Sequence, residues 1–161
     1  MTVRVWRIGT DTPAWTADDL SGTGAKITGG RWNRAGKSVV YASSSPALAC
    51  LETIVHLGAA ALPLNRYLVA IDIPEEVFAR RLQFEELAPA AQRVGWDALP
   101  PGRVSLELGD AWLTACRSAM LELPSVIVPE DRNLLINPAH PDATAIKATK
   151  LRRFEYDCRL R

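Results

Sequence analysis

Gly29-Gly30-Arg31-Trp32-Asn33-Arg34-Ala35-Gly36, then Val39-Val40-Tyr41-Ala42-Ser43, then Pro46-Ala47-Leu48-Ala49-Cys50-Leu51-Glu52, is the stretch from which the rest of the chain is read. Paired glycines permit a tight turn and close backbone approach, so the first part is a turn carrying an arginine. Val39-Val40-Tyr41 is a short apolar strand ending at an aromatic ring. Ser45-Pro46 is a helix start, with serine as N-cap and proline at the first helical position. Ala47, Leu48, Leu51, Ile54 and Val55 give that helix an apolar face, Gly58 suits its end, and Glu52 lies at the edge of the face. Turn, strand and helix thus carry a fixed cation, an aromatic face and a carboxylate in one compact unit. Such groups suit a phosphate, a flat ring and a developing positive charge.

Working outward, Val3-Arg4-Val5-Trp6-Arg7-Ile8 alternates as a strand, and Thr12-Pro13 breaks it. Ser21-Gly22-Thr23-Gly24 is loop-rich. Tyr67–Ile73 is a further strand, stopped by Pro74. Residues 75–104 show no clear pattern beyond a turn at Leu99-Pro100-Pro101-Gly102. Asp110 is expected to cap a helix through Trp112, Leu113, Cys116 and Met120. Ser125-Val126-Ile127-Val128, Leu134-Leu135-Ile136 and Phe154–Leu160 complete the expected strands. Strands and helices mix without a βαβ rhythm and without a repeat or linker. The expected fold is α+β: a single domain over 1–161 with a mixed, largely antiparallel sheet and flanking helices.

Composition narrows the function classes. Nineteen basic and 18 acidic residues leave a net charge of +1, which offers no long-range attraction to nucleic acid. The late basic group Lys147, Lys150, Arg152 and Arg153 reads as a solvated face. Cys50, Cys116 and Cys158 are unclustered, as for thiols in a reducing cytosol, and have no zinc spacing. The first residues lack the apolar core of a secretory signal, and no run of ~18 apolar residues exists to span a membrane. A cytoplasmic protein is expected.

Each candidate residue has a bland reading beside a chemical one. Arg31 is a turn arginine on the surface, or a guanidinium gripping phosphate oxygens. The glycines around it form neither a G-x-G-x-x-G fingerprint nor a P-loop. Tyr41 is a half-buried strand aromatic, or a ring that packs on a cationic ligand. Glu52 is a solvated boundary residue, or a carboxylate facing a cleft. His56, one turn further on, could pair with it. His140 suits a surface or capping role, and two isolated histidines make no metal site. Ser125 lacks a Gly-x-Ser-x-Gly elbow, so it fits hydrogen bonding better than nucleophilic attack. Trp32, Trp96 and Trp112 read as core anchors.

The ordered set Gly29-Gly30-Arg31-Trp32-Asn33, Val39–Ser43, Ala47–Glu52, Pro124–Pro129, Asn133-Leu134-Leu135-Ile136-Asn137-Pro138 and Phe154–Leu160 resembles the RES-domain toxins, from Trp6 to Leu160. That family is named for an arginine, a glutamate and a serine, and Arg31, Glu52 and Ser125 stand at the matching places. The resemblance implies an ADP-ribosyltransferase-like fold and the toxin of a type II toxin–antitoxin pair. It implies an Xre-type helix-turn-helix antitoxin as partner, in a hetero-oligomer that meets DNA only through the antitoxin. It also implies NAD+ as substrate, consumed by hydrolysis, phosphorolysis or transfer of ADP-ribose to a protein, with no further cofactor and no metal. In that reading Glu52 stabilises the oxocarbenium-like charge that builds on the ribose. Arg31 holds the pyrophosphate, Tyr41 packs on the nicotinamide, and Ser125 bonds the ribose or supports Glu52.

Other classes compete. An RNA-cleaving toxin would want a basic groove and a catalytic His or Lys, which near-neutral charge and two lone histidines do not favour. A non-catalytic binding module would use the glycine turn for a protein partner.

Overall fold

Ser45 Oγ accepts the Leu48 N–H at 3.1 Å and Pro46 is the first helical residue, so the helix carrying Glu52 starts where its capping residues dictate. The computed structural model describes residues 1–58 and 62–160. In chain order these form β1 (Thr2–Thr10), α1 (Thr23–Thr28), β2 (Val40–Ser43), α2 (Pro46–Ile54), β3 (Arg66–Pro74) and α3 (Glu75–Ala79). There follow β4 (Leu82–Gln83), α4 (Ala90–Arg93), α5 (Arg103–Ala115), β5 (Met120–Pro124), β6 (Arg132–Ile136) and β7 (Lys147–Arg153). All seven strands join one sheet in the order β4-β5-β6-β2-β1-β3-β7. Only β4 and β5 run parallel, so the sheet is mixed and largely antiparallel, as the patterning implied.

The centre of the sheet is buried on both faces. Along β5 and β6, Met120, Leu134 and Ile136 join Val5, Val40, Val69, Ile71 and Ile73 on one side. Leu121, Leu123 and Leu135 turn to the other, where they meet Trp32, Phe84 and Trp112. This is the period of two that a strand imposes. A third cluster, Ile8, Ala49, Leu68 and Tyr156, packs under α2. The β2–β6 register pairs Ser43 with Asn133 and Tyr41 with Leu135, so these four residues share the face that carries Trp32.

Several local expectations give way to the structure. The α5 helix begins at Arg103, and Asp110 lies inside it. It stops at Cys116, which takes a left-handed conformation (φ 52°), so Met120 falls in β5. The expected strand at 125–128 is a bend, because the Ser125 hydroxyl accepts the Ile127 and Val128 N–H groups and draws the chain off the ladder. The last strand is 147–153, not 154–160; Phe154 and Tyr156 instead stack edge-on, and the Tyr156 hydroxyl donates to Thr53 Oγ1 at 2.7 Å. The α2 helix ends at Ile54, ahead of Gly58, and buries Leu48 and Ala49 while Leu51 and Val55 face outward. No helix among the described residues is long and apolar enough to cross a membrane.

Candidate active site around Glu52 and Arg31

The glycine turn is built to hold one side chain still. The Gly30 N–H donates to Asn33 O at 2.9 Å, leaving Arg31 and Trp32 at the tip, and Gly29 takes a positive φ of 68°. Trp32 is 4% exposed and stacks on Trp96 with centroids 5.9 Å apart, while Phe84 meets it edge-on. Burying such a ring stabilises by on the order of 4–6 kcal/mol at most. Asn33, also buried, donates to Ala25 O at 2.8 Å and Lys37 O at 3.0 Å. Its Oδ1 accepts the Tyr41 hydroxyl at 2.7 Å, and that hydroxyl accepts the Trp32 N–H at 3.1 Å. A Cβ on Gly30 would sit 2.7 Å from the Tyr41 oxygen, so only glycine lets the turn close on the tyrosine. From the other side α5 presses Gly109 so near that a Cβ there would lie 1.8 Å from Trp32 O.

Arg31 leaves this turn half-buried. Its guanidinium donates to Trp96 O at 3.0 Å and Ala98 O at 2.9 Å through the same nitrogen, Nη1. Burial pushes its pKa down, while the charges of Glu52, Asp97 and Tyr41 push the other way. Burial pushes the Tyr41 phenol well above its ordinary value, against the Trp32 N–H, the Arg31 charge and Asn33. Tyr41 is therefore neutral at physiological pH.

Glu52 approaches from α2. Its Oε1 accepts two hydrogen bonds, from Ser125 Oγ at 2.7 Å and from Asn133 Nδ2 at 2.6 Å. Each donor is itself locked. Ser125 is fully buried, and its oxygen accepts the Ile127 and Val128 N–H groups, both at 3.1 Å, so its proton is left for Glu52. Asn133 Oδ1 accepts the buried Ser43 hydroxyl at 2.7 Å, which turns the amide nitrogen toward the carboxylate. Among the described residues no hydrogen bond reaches Glu52 Oε2.

The fold thus brings Arg31, Tyr41, Glu52 and Ser125 into one neighbourhood. The Tyr41 hydroxyl is spent on the turn. His56 is exposed and makes no hydrogen bond to Glu52, and His140 caps a turn by accepting the Asp142 N–H. Ser43 and Asn133 escape sequence reasoning. Asn133 opens the Asn133–Pro138 motif, but its partner Ser43 is 90 residues away and only the β2–β6 register joins them. Among the described residues no group of three or more His, Cys, Asp or Glu could hold a metal ion. Chemically the site offers a carboxylate with one oxygen held by two donors, in the electrostatic field of a guanidinium fixed on Trp96 O and Ala98 O. Ser125 gives its proton to Glu52 while its oxygen accepts two backbone N–H groups, so its lone pairs are engaged and it serves as a hydrogen-bond donor to the carboxylate.

The RES-domain family model matches residues 4–157. The chain is 59% identical over 160 residues to a protein of Sphingobium sp. (strain YBL2) named "Prs ADP-ribosylating toxin", covering 99% of this chain and 98% of that one. It is 40% identical over 144 residues to "Toxin Res" of Pseudomonas putida KT2440, covering 88% and 92%. Its fold is similar to that in the crystal structure of the M. tuberculosis MbcT–MbcA toxin–antitoxin complex, with TM-score 0.65 and 16% identity over 94% of this chain and 85% of that one. On the match across almost its whole length and on these relatives, the chain belongs to the RES-domain family.

Proposed function

We propose that this protein is the toxin of a toxin–antitoxin pair and that it cleaves the nicotinamide–ribose bond of NAD+. The observation that carries the proposal is Glu52: a carboxylate fixed on one oxygen by Ser125 and Asn133, with the other open, in the field of Arg31. Nicotinamide leaves with the electron pair of the broken C–N bond, and positive charge develops on the ribose. A carboxylate held beside that charge, or on a ribose hydroxyl, stabilises the transition state without a metal. Arg31 supplies the grip on the pyrophosphate.

The intermediate must then meet a nucleophile, which bonds to C1′ and loses its proton. Water gives hydrolysis, phosphate gives phosphorolysis, and a protein side chain gives ADP-ribosylation. The name of the 59% identical relative favours transfer to a protein. The neighbouring toxin–antitoxin complex favours an antitoxin partner; we propose that this partner covers Arg31 and Glu52 and is an Xre-type protein.

The test is to incubate the purified chain with NAD+ and follow nicotinamide release. Adding phosphate, or cell lysate with labelled NAD+, separates the three acceptors. Glu52→Gln keeps the shape and is expected to lower release ~10²–10³-fold. Intact NAD+ in every condition, or wild-type release by a folded Glu52→Gln variant, overturns the proposal.

A further inference from the structure

We infer that Asn133 is a positioning residue for Glu52, and that Ser43 and Asn133 form a relay that aims the free carboxylate oxygen at the ribose; this rests on the NAD+ reading above. Three observations carry it. First, Asn133 Nδ2 and Ser125 Oγ both bond the same oxygen, Oε1, at 2.6 and 2.7 Å. Two donors on one oxygen fix the plane of the carboxylate as one could not, and they leave Oε2 for the substrate.

Second, neither donor can turn away. Ser125 is held by two backbone N–H groups, and Asn133 by the Ser43 hydroxyl. An amide flip of Asn133 would bring its oxygen against the carboxylate, replacing the bond to Glu52 with repulsion, and would force the Ser43 hydroxyl to turn from donor to acceptor. Third, the two anchors come from separate elements, the bend after β5 and the first residues of β6, whereas Glu52 comes from α2. The α2 carboxylate is therefore tied through one oxygen to two neighbouring strands, to β6 directly and to β5 through the bend that follows it.

The chemistry gives a test that a packing role would not pass. Asn133→Asp keeps the shape but replaces the donor with a second carboxyl facing Glu52. At low pH one shared proton restores the hydrogen bond. As pH rises the proton is lost, two negative charges face each other, and Glu52 is pushed from its place. The kcat of Asn133→Asp relative to the parent should fall at least ~10-fold from pH 5 to pH 8. Asn133→Ala should lower kcat on the order of 10–100-fold at every pH, with KM changed less than about threefold, because Asn133 does not touch NAD+.

Melting gives a second readout that needs no activity. The melting temperature of Asn133→Asp should fall more steeply with pH than the parent's over the same range. Combining Glu52→Gln with Asn133→Asp should remove that extra slope, since the glutamine amide can donate to the introduced carboxylate. An active parent whose Asn133→Asp variant shows the parent's pH profile overturns the inference alone. An Asn133→Asp melting slope that survives Glu52→Gln overturns it as well. A parent that leaves NAD+ intact, with the melting slope still dependent on Glu52, overturns the NAD+ reading and the aim at the ribose with it.

Discussion

Gly109→Ala puts the rigidity of the arginine turn to the test. The added Cβ would lie 1.8 Å from Trp32 O, 2.7 Å from its carbonyl carbon and 3.0 Å from its Cα, all backbone atoms. Ordinary contact begins near 3.4 Å, so α5 and the turn must separate by about 1.6 Å (3.4 minus 1.8). Overpacking of this kind costs about 1–3 kcal/mol, and a backbone-on-backbone clash belongs at or above the upper end. Alanine returns up to ~1 kcal/mol in helix propensity, so the net loss is about 2 kcal/mol. For a domain of this size that lowers the melting temperature by ~4–8 °C. The displaced segment carries Arg31, and a 1 Å misplacement can cost ~10²-fold in rate, so NAD+ cleavage should fall by that order. Gly24→Ala is the control: its Cβ would meet Trp15 at 3.5 Å, ordinary contact, in helix α1. It should leave the melting temperature level or raise it. Differential scanning calorimetry with a nicotinamide-release assay reads both effects. If Gly109→Ala melts at or above the parent and cleaves NAD+ equally well, the turn is not clamped by α5.

Tyr41→Phe removes only the hydroxyl that joins Trp32 N–H to Asn33 Oδ1, and should cost about 1–3 kcal/mol in denaturant unfolding; a variant as stable as the parent would show that the turn does not need it. Arg31→Lys should weaken NAD+ binding at least ~10-fold by calorimetry, because an ammonium cannot hold Trp96 O and Ala98 O in the guanidinium's fixed plane while also gripping phosphate. On the acid side, Asp72 beside Arg4, Asp142 beside Arg80 and Asp11 beside Lys150 all lie below the ordinary carboxylate value, chiefly through the hydrogen bond from each partner. A depressed folded pKa means the unfolded chain takes up protons first. This stabilisation is thus complete above pH ~4 and lost as pH falls through the folded values. A melting series from pH 6 to pH 2 should show it, and Asp72→Asn should flatten part of the acid limb.

Sequence pattern carries what local chemistry controls. Ser45-Pro46 marks the start of α2 because capping is local, and β1 and β3 show as an alternating and an almost wholly apolar stretch. The α5 helix is half hidden because it buries Ser105 and Gly109 along with Trp112. Small residues where the chain passes the turn leave no apolar period to read. The strand β7 is hidden for a different reason: its exposed residues Lys147, Thr149, Leu151, Arg152 and Arg153 mix charged, polar and apolar side chains, so no alternation marks it as a strand. In the candidate site, the family resemblance points to Arg31, Glu52 and Ser125 but carries nothing of their geometry. Asn133 reaches Glu52 across 81 residues of chain, and that meeting exists only once β2, β6 and α2 have docked.

The ends of the sheet bear on how this protein behaves in a crowded solution. An outermost strand exposes unpaired N–H and C=O groups that can template another chain's strand. At one end β4 is two residues long, too short to seed a ladder. At the other end β7 is long enough, but it carries Lys147, Lys150, Arg152 and Arg153. A second copy docking there in strand register would set cation against cation. Lys150 is held by Asp11, so of the basic group that composition marks as a solvated face Lys147, Arg152 and Arg153 are the charges that would guard this edge against self-templated growth, and neutralising those three should make the chain prone to sheet-to-sheet aggregation.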